Sequence, residues 1–151
     1  MEMMTRDYTI ERLRDPADFT PDIRKFLIEE VPKLAALFGD VFDWKNTSPF
    51  QMAKESFLLV VRRKGEVRGF LVAFLGTTDL DPKIIILRQM TFYVKPGSGR
   101  AAYYLFQKFI DIGKVEANHI ITMLTSQTNI KPSTIEKMGF KELETLYRLE
   151  V

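Results

Sequence analysis

A predicted strand that ends at a glycine-rich turn and leads directly into a helix is the feature that most constrains this fold. Residues 83–94 are mostly apolar, and the letters PGSG at residues 96–99 end the strand. Helical periodicity over residues 101–117 then places four apolar side chains on one stripe, at Ala102, Leu105, Phe109 and Ile112. A strand and an amphipathic helix joined this tightly indicate a domain in which a helix packs on a sheet.

The rest of the chain supplies the other layers of such a domain. Apolar or alternating runs predict five further strands, at residues 8–13, 57–61, 67–75, 120–124 and 140–151. Cap and breaker residues predict further helical segments, one beginning at Thr20-Pro21 and broken at Val31-Pro32, a short one closing at Gly39, a turn from Ser48 to Lys54, and a helix over residues 132–138. This order predicts an α+β fold with a mixed, mostly antiparallel twisted sheet and helices on both faces.

The composition excludes several kinds of chemistry. The 151 residues include no cysteine and one histidine, His119, so a thiolate metal site, a cysteine nucleophile and a multi-histidine metal centre are excluded. The 22 basic and 20 acidic residues leave a net charge of +2, which argues against nucleic acid or an anionic membrane as a partner. No apolar run reaches the roughly 20 residues of a membrane-spanning helix. We expect one soluble cytoplasmic domain over residues 1–151.

The turn after the long strand has the features of an anion site. The first backbone N–H groups of a helix have no partner within the helix, and the helix dipole favours negative charge there. Gly97 and Gly99 allow positive φ and close approach of a ligand, and Arg100 adds a positive charge suited to a phosphate. The alternative is a strand-to-helix connection whose glycines serve backbone geometry alone.

Two segments at this spacing resemble motifs of the GNAT (Gcn5-related N-acetyltransferase) superfamily. The letters VKPGSGRAAYYLF resemble its acetyl-CoA-binding turn and helix, and NIKPSTIEKMGF, residues 129–140, resembles its later motif. The hairpin GEVRGFLVAF and the closing segment ELETLYRLEV also fit the family's element order. The resemblance covers residues 57–151, and the short Arg-Ala-Ala turn is most similar to GNAT-type proteins encoded by phages.

The resemblance implies an acetyl-CoA site at the end of the long strand. It implies that Phe92, Tyr93 and Val94 lie beside the pantetheine arm and that Asn129 lies near the cofactor. The residues implied to surround the pyrophosphate are Gly97, Ser98, Gly99, Arg100, Ala101 and Ala102. The implied reaction is direct attack of an amine, of a small molecule or a protein, on the thioester, with a strand N–H stabilising the oxyanion. A homodimer is also compatible with this family.

The sequence departs from the family pattern at the proton-transfer positions. Many members carry a tyrosine acid four residues before the glycine of the Gly-Phe pair, and this chain has Ile135 there. The long strand offers Arg88 and Gln89 but no carboxylate, so no catalytic acid or base is assigned. The alternative is therefore an inactive, phage-encoded protein of the same fold with a structural or partner-binding role. A basic group around the hairpin, Arg62, Arg63, Lys64, Arg68 and Arg88, is interpreted as a solvated sheet edge.

Overall fold

The computed structural model describes residues 7–37, 56–77, 80–123 and 130–143, together with residues 147, 149 and 151. The predicted helix end at Gly39, the predicted turn from Ser48 to Lys54, and Asn129 lie outside the described residues.

A mixed sheet forms the centre of the described structure. Its five strands are β1 (Tyr8–Leu13), β2 (Ser56–Arg63), β3 (Glu66–Thr77), β4 (Ile85–Val94) and β5 (His119–Ile121). They lie in chain order, and neighbours are antiparallel except β4 and β5, which are parallel. The hairpin turn between β2 and β3 places Lys64 and Gly65 at φ values of 51° and 83°, as a two-residue type I′ turn requires. The predicted hairpin and the predicted α+β class are confirmed.

Helices cover both faces of this sheet, as predicted. They are α1 (Pro21–Leu37), α2 (Ala101–Glu116) and α3 (Pro132–Lys137), with a 3₁₀ turn at Pro16–Asp18. Alternation along β2 sends Leu58 and Val60 into the core beneath α1, and Leu59 and Val61 into the core beneath α2. The two cores therefore lie on opposite sides of the sheet.

Close packing sets the position of α2 on its face of the sheet. Phe106 and Phe109 are fully buried in this core, with 1% and 0% of their surface exposed. Gly113 allows the helix to approach β5, because a Cβ at this position would collide with Ile120 and lie 3.2 Å from Leu87. This packing holds α2, which follows the glycine-rich turn, close against the sheet.

The predicted helix break at Val31-Pro32 is wrong, because α1 continues through Pro32 to Leu37. A proline inside a helix removes one hydrogen bond and costs about 3 kcal/mol. Burial of Ile23, Leu27 and Leu34 on the same face of the helix offsets this cost, at roughly 1.5–3 kcal/mol for each side chain. The packed face of the helix therefore outweighs the local preference against helix at Val31.

Part of the predicted closing strand at residues 140–151, namely residues 144–146, 148 and 150, lies outside the described residues, and the described part belongs to no strand. Leu143, Tyr147 and Leu149, which alternation places on one face, are 80%, 93% and 85% exposed. Phe140 does pack on α2, with its ring centroid 6.0 Å from that of Phe106. A period of two gives a strand only where a neighbouring edge accepts its hydrogen bonds, and β5 is only three residues long.

Candidate cofactor site

β4 loses one of its two neighbours halfway along its length. It pairs with β5 at only three positions, the last of which is Arg88 with Ile121. β3 remains paired with β4 as far as Val94, and no second strand borders β4 beyond Arg88 in the described part of the chain. A bulge lies at this point, because Val72 is opposite Thr91 while Ala73 is opposite Gln89, which leaves Met90 without a partner. Among the described residues, the carboxyl-terminal part of β4 therefore has an open edge.

A network of hydrogen bonds fixes the turn that follows β4, residues 95–100, which we call the glycine turn. The Lys95 N–H donates to the Arg68 carbonyl at 2.8 Å. Ser98 is 4% exposed, and its hydroxyl donates to the Lys95 carbonyl while it accepts from Arg68 Nε at 2.7 Å. The Arg68 guanidinium also donates to the Pro96 carbonyl at 3.0 Å. The Ser98 side chain is therefore part of the turn's internal structure, and only its backbone could face a ligand.

Tyr8 in β1 holds the other side of the glycine turn. Its hydroxyl accepts from the Arg100 N–H at 3.0 Å and donates to the Ser98 carbonyl at 3.4 Å. Gly99 has φ of +61°, and a Cβ there would collide with the Tyr8 hydroxyl. Sequence reasoning missed Tyr8 because 92 residues separate it from Arg100 and no local pattern connects them.

Several backbone donors remain at the junction of the glycine turn and α2. Ala101 N–H donates to the Ser98 carbonyl at 3.2 Å, and Tyr104 N–H donates to the Arg100 carbonyl at 3.1 Å. The donors without an acceptor in the described part of the chain are the N–H groups of Gly97, Ser98, Gly99, Ala102 and Tyr103. Unpaired donors at a helix amino terminus, together with the helix dipole, suit a bound anion.

Cations surround the glycine turn. Arg63 donates to the Gly97 carbonyl at 3.4 Å, and its guanidinium lies 5.8 Å from the Tyr8 ring centroid. Arg63 and Arg68 therefore contact the turn, which corrects the interpretation of the basic group as a solvated sheet edge. The two arginines, Lys64, Glu66 and Gly97 line a surface depression of about 340 Å³. Arg100 is exposed, and its guanidinium lies 4.8 Å from the ring centroid of Tyr103.

The side chains of Phe92 and Tyr93 lie in the two cores. Phe92 stacks on Phe106 beneath α2, with the ring centroids 6.1 Å apart. Tyr93 lies beneath α1, where its hydroxyl donates to the buried carboxylate of Glu30 at 3.1 Å. Burial, together with this carboxylate, raises the pKa of Tyr93 to about 12, so the hydroxyl stays protonated at neutral pH. Only the backbone of these two residues could therefore line the open edge.

A buried ion cluster connects this part of β4 to α1. Glu30 is 2% exposed and lies 3.4 Å from the Lys33 ammonium and 3.7 Å from the Lys95 ammonium. A buried carboxylate needs such partners, because an unpaired charge in a low-dielectric core is costly. Lys95 begins the glycine turn, so the cluster holds that end of the turn against α1. Sequence reasoning missed Glu30, although its helical spacing from Leu27 and Leu34 places it on the buried face of α1.

The other residues singled out in the sequence differ in their burial. Ala101 and Ala102 are buried in the first turn of α2, and Val94 is half-buried at the end of β4. Ile135 is 5% exposed and belongs to the α2-side core, and His119 is exposed. The described residues contain no group of three or more acidic or histidine side chains that could hold a metal ion, and none of their helices has the length and apolarity to span a membrane.

Solved acetyltransferase structures share this fold. An aminoglycoside acetyltransferase from an uncultured soil metagenomic sample has a TM-score of 0.65 and 15% identity, over 95% of this chain and 98% of that chain. Ribosomal-protein-alanine N-acetyltransferase from Brucella melitensis biovar Abortus 2308 has a TM-score of 0.63 and 14% identity, over 95% and 99%. A transcriptional regulator from Bacillus halodurans C-125 has a TM-score of 0.69 and 12% identity, over 95% and 99%.

The chain therefore has the fold of the GNAT-type acetyltransferases. No protein-family model matches its sequence, and no curated protein matches it. At identities of 12–15%, the likeness establishes the fold, while activity has to be argued from the site.

Proposed function

We propose that this protein is an acyl-CoA-dependent N-acetyltransferase that transfers an acetyl group from acetyl-CoA to an amine. The observation that carries the proposal is the open edge of β4 leading into the glycine turn, in which the N–H groups of residues 97–99 lack acceptors in the described part of the chain. A strand edge can hydrogen-bond the amides of a pantetheine arm, and a helix amino terminus can hold a diphosphate. The two features adjoin, as one extended cofactor would require.

The proposed cofactor contacts use the residues that the resemblance implies, restricted to the groups that the structure leaves free to bind. Backbone groups of Phe92, Tyr93 and Val94 would line the pantetheine arm. The unpaired N–H groups of residues 97–99 and of Ala102 would face the pyrophosphate. Ser98 would contribute only its backbone, because its side chain is engaged within the turn. The Arg100 N–H is already bonded to Tyr8, so Arg100 would contribute its exposed guanidinium. Asn129 completes the proposed set.

The proposed reaction is a direct transfer. The neutral amine nitrogen attacks the thioester carbonyl carbon, a C–N bond forms, and the carbonyl oxygen becomes an oxyanion. Collapse of this intermediate breaks the C–S bond, CoA leaves as the thiolate, and the ammonium proton passes to solvent or to the thiolate. A donor fixed where the oxyanion develops accelerates this step more than any group that binds substrate and transition state equally.

The acceptor is proposed to be an amine of a small molecule or of a protein. The structural neighbours include an aminoglycoside acetyltransferase and a ribosomal-protein-alanine N-acetyltransferase, so the shared fold serves acceptors of both kinds. We propose that residues 1–151 act as one domain in the cytoplasm.

A thermal-shift titration with acetyl-CoA, CoA and ATP tests the cofactor proposal. A ligand at 100 times its Kd stabilises the folded state by about 2.7 kcal/mol, which is visible as a rise in Tm. We expect acetyl-CoA and CoA, but not ATP, to raise Tm at micromolar concentration. Arg100→Ala should weaken acetyl-CoA about tenfold, the scale of one lost charge-assisted contact. Arg14→Ala, which removes another exposed arginine, is the matched control. Absence of any shift at millimolar acetyl-CoA would rule the proposal out.

A second candidate function is binding of acetyl-CoA without turnover. It is favoured by Ile135, an apolar buried side chain at the position where many family members carry the tyrosine acid. Release of free thiol with a broad panel of amines distinguishes the two. Tight acetyl-CoA binding with no thiol release across the panel would favour the non-catalytic role.

A further inference from the structure

Resting on the proposed function, we infer that the side-chain amide of Gln89 is a catalytic residue that donates a hydrogen bond to the acyl carbonyl oxygen of the thioester. The inference starts from the position of Gln89 in the sheet. Arg88 is the last residue of β4 paired with β5, and Gln89 is the next one. The unpaired Met90 follows immediately. Gln89 therefore lies where β4 changes from two neighbouring strands to one, at the closed end of the opening.

The structure fixes the orientation of the Gln89 amide. Gln89 is 3% exposed, and the Thr122 hydroxyl, just beyond β5, donates to its Oε1. The oxygen is thus engaged, and the Nε2 group presents two N–H donors. Within the described ranges, no acceptor bonds Nε2. Nε2 is not among the fully buried side-chain atoms that lack a partner in the described part of the chain, so its N–H groups can reach an acceptor atom from a ligand at the edge of the strand.

A thioester carbonyl oxygen matches this donor in chemistry. It accepts hydrogen bonds in the ground state, and it gains negative charge when the amine attacks. A donor that is already fixed, in a buried region of low dielectric, stabilises this charge without reorganising. The side chain at this position is neutral and rich in donors, and a carboxylate would repel the same oxyanion. The absence of a carboxylate from β4 therefore suits this role, although it removes one source of a general base.

The position of Gln89 along β4 also matches the direction of the proposed cofactor. The open edge runs from Gln89 to Val94, which is about 17 Å at 3.3–3.4 Å for each residue. The glycine turn, with its anion-binding donors, lies at one end of this edge, and the Gln89 amide lies at the other. A ligand with a diphosphate at one end and a thioester at the other would place each group beside its own donors.

The test compares acetyl-CoA with CoA, because only acetyl-CoA carries the carbonyl. Their two Kd values are measured by calorimetry for the wild-type protein and for Gln89→Met, which keeps the volume and removes the donors. We expect the wild type to prefer acetyl-CoA, and Gln89→Met to lose about 3- to 10-fold of that preference, as one hydrogen bond supplies. The CoA affinity itself should change little. With an amine that the wild type acetylates, kcat should fall about 10²- to 10³-fold. Gln107→Met, at a half-buried glutamine of α2 that bonds Asp111, is the matched control and should change neither value.

Gln89→Glu adds a readout that a purely structural glutamine would not produce. A buried glutamic acid donates a hydrogen bond when protonated and repels the oxyanion when ionised. The variant's preference for acetyl-CoA should therefore decline as the pH rises through the carboxyl pKa, while the wild type's preference stays constant. The carboxyl would face Thr122 and the Arg88 backbone, and the nearest charged neighbour in sequence is Arg88.

The outcomes separate this inference from the proposed function. If the wild type binds neither acetyl-CoA nor CoA, the proposed function fails and the role of Gln89 fails with it. If the wild type binds both, and Gln89→Met keeps the full acetyl-CoA preference and kcat, the role of Gln89 is overturned while the proposed function stands. Should Gln89→Met not fold, Thr122→Val, which releases the amide from its partner, takes its place. The same loss of preference supports the inference, and an unchanged preference overturns it.

Discussion

The two halves of β4 have the same backbone conformation and opposite surroundings. The amino-terminal half, residues 85–88, lies between β3 and β5, and Leu87 within it is 0% exposed. The carboxyl-terminal half, residues 89–94, is paired with β3 alone in the described structure and leads into the glycine turn. One strand thus contributes packing in its first half and leaves an edge for the proposed cofactor in its second, and the bulge at Met90 separates the two halves.

Leu87→Ala should lower the free energy of unfolding far more than Met90→Ala. Leu87 is packed between α2 and β5, so its truncation should lower the free energy of unfolding by about 2–5 kcal/mol. Met90 is 50% exposed at the bulge, and its truncation should change the free energy by less than about 0.5 kcal/mol. Urea unfolding followed by circular dichroism measures both. Equal losses in the two variants would remove the distinction between the halves.

The next effect concerns the turn at the end of the carboxyl-terminal half. Gly99→Ala places a Cβ at φ of +61° against the Tyr8 hydroxyl, so it should cost about 1–3 kcal/mol of stability and at least tenfold in acetyl-CoA affinity. Gly139→Ala is the matched control, because φ there is +97° but the added Cβ meets no atom within 4 Å. It should lower stability and leave affinity unchanged. Calorimetric titration of both variants decides; an equal loss of affinity in the two would show that general destabilisation is the cause.

The smallest effect is a pH dependence that belongs to the carboxyl-terminal half. The pKa of Tyr93 is raised to about 12 in the folded protein by burial and by Glu30, so the unfolded chain, with an ordinary pKa near 10, loses this proton first. The stabilisation that the raised Tyr93 pKa provides is complete below about pH 10 and is lost as the pH rises toward 12. At pH 11 the loss amounts to about 1 kcal/mol. Lys33 and Lys95 also face Glu30, so the difference between the wild type and Tyr93→Phe isolates the contribution of the tyrosine.

Unfolding free energies of both proteins at pH 8 and pH 11 test this prediction. The wild type should lose more stability than Tyr93→Phe between these values. Tyr147→Phe, at a tyrosine that is 93% exposed, serves as the control and should follow the wild type. Parallel losses in the wild type and Tyr93→Phe would contradict the proposed cause.

Local chemistry made much of the fold predictable. The glycine turn, the Lys64-Gly65 hairpin and the start of α2 each depend on residues that are adjacent in the sequence, and each lies where its residues predict. The errors came where distant packing overrides local preference. Pro32 remains inside α1 because the helix buries one face against the sheet, and the alternation in residues 140–151 lacks a neighbouring strand among the described residues.

The candidate site was predictable only for its backbone. The glycines and the helix start predicted donors for an anion, and the structure places them together. The side chains that fix those donors come from elsewhere: Tyr8 from β1, Arg68 from β3 and Glu30 from α1. Pairings across such separations depend on the assembled sheet, and no spacing rule in one sequence encodes them.

The Tyr8 hydroxyl links the first described strand to the glycine turn, in which Arg100 lies 92 residues further along the chain. In the sheet that the described residues form, β1 is an outer strand paired with β2 alone, which makes it one of the parts most easily displaced. The Arg100 N–H and the Ser98 carbonyl can reach the Tyr8 hydroxyl only when β1 is docked on β2. A fragment that begins after Leu13 would thus keep every residue of the glycine turn and lose the clamp that shapes it.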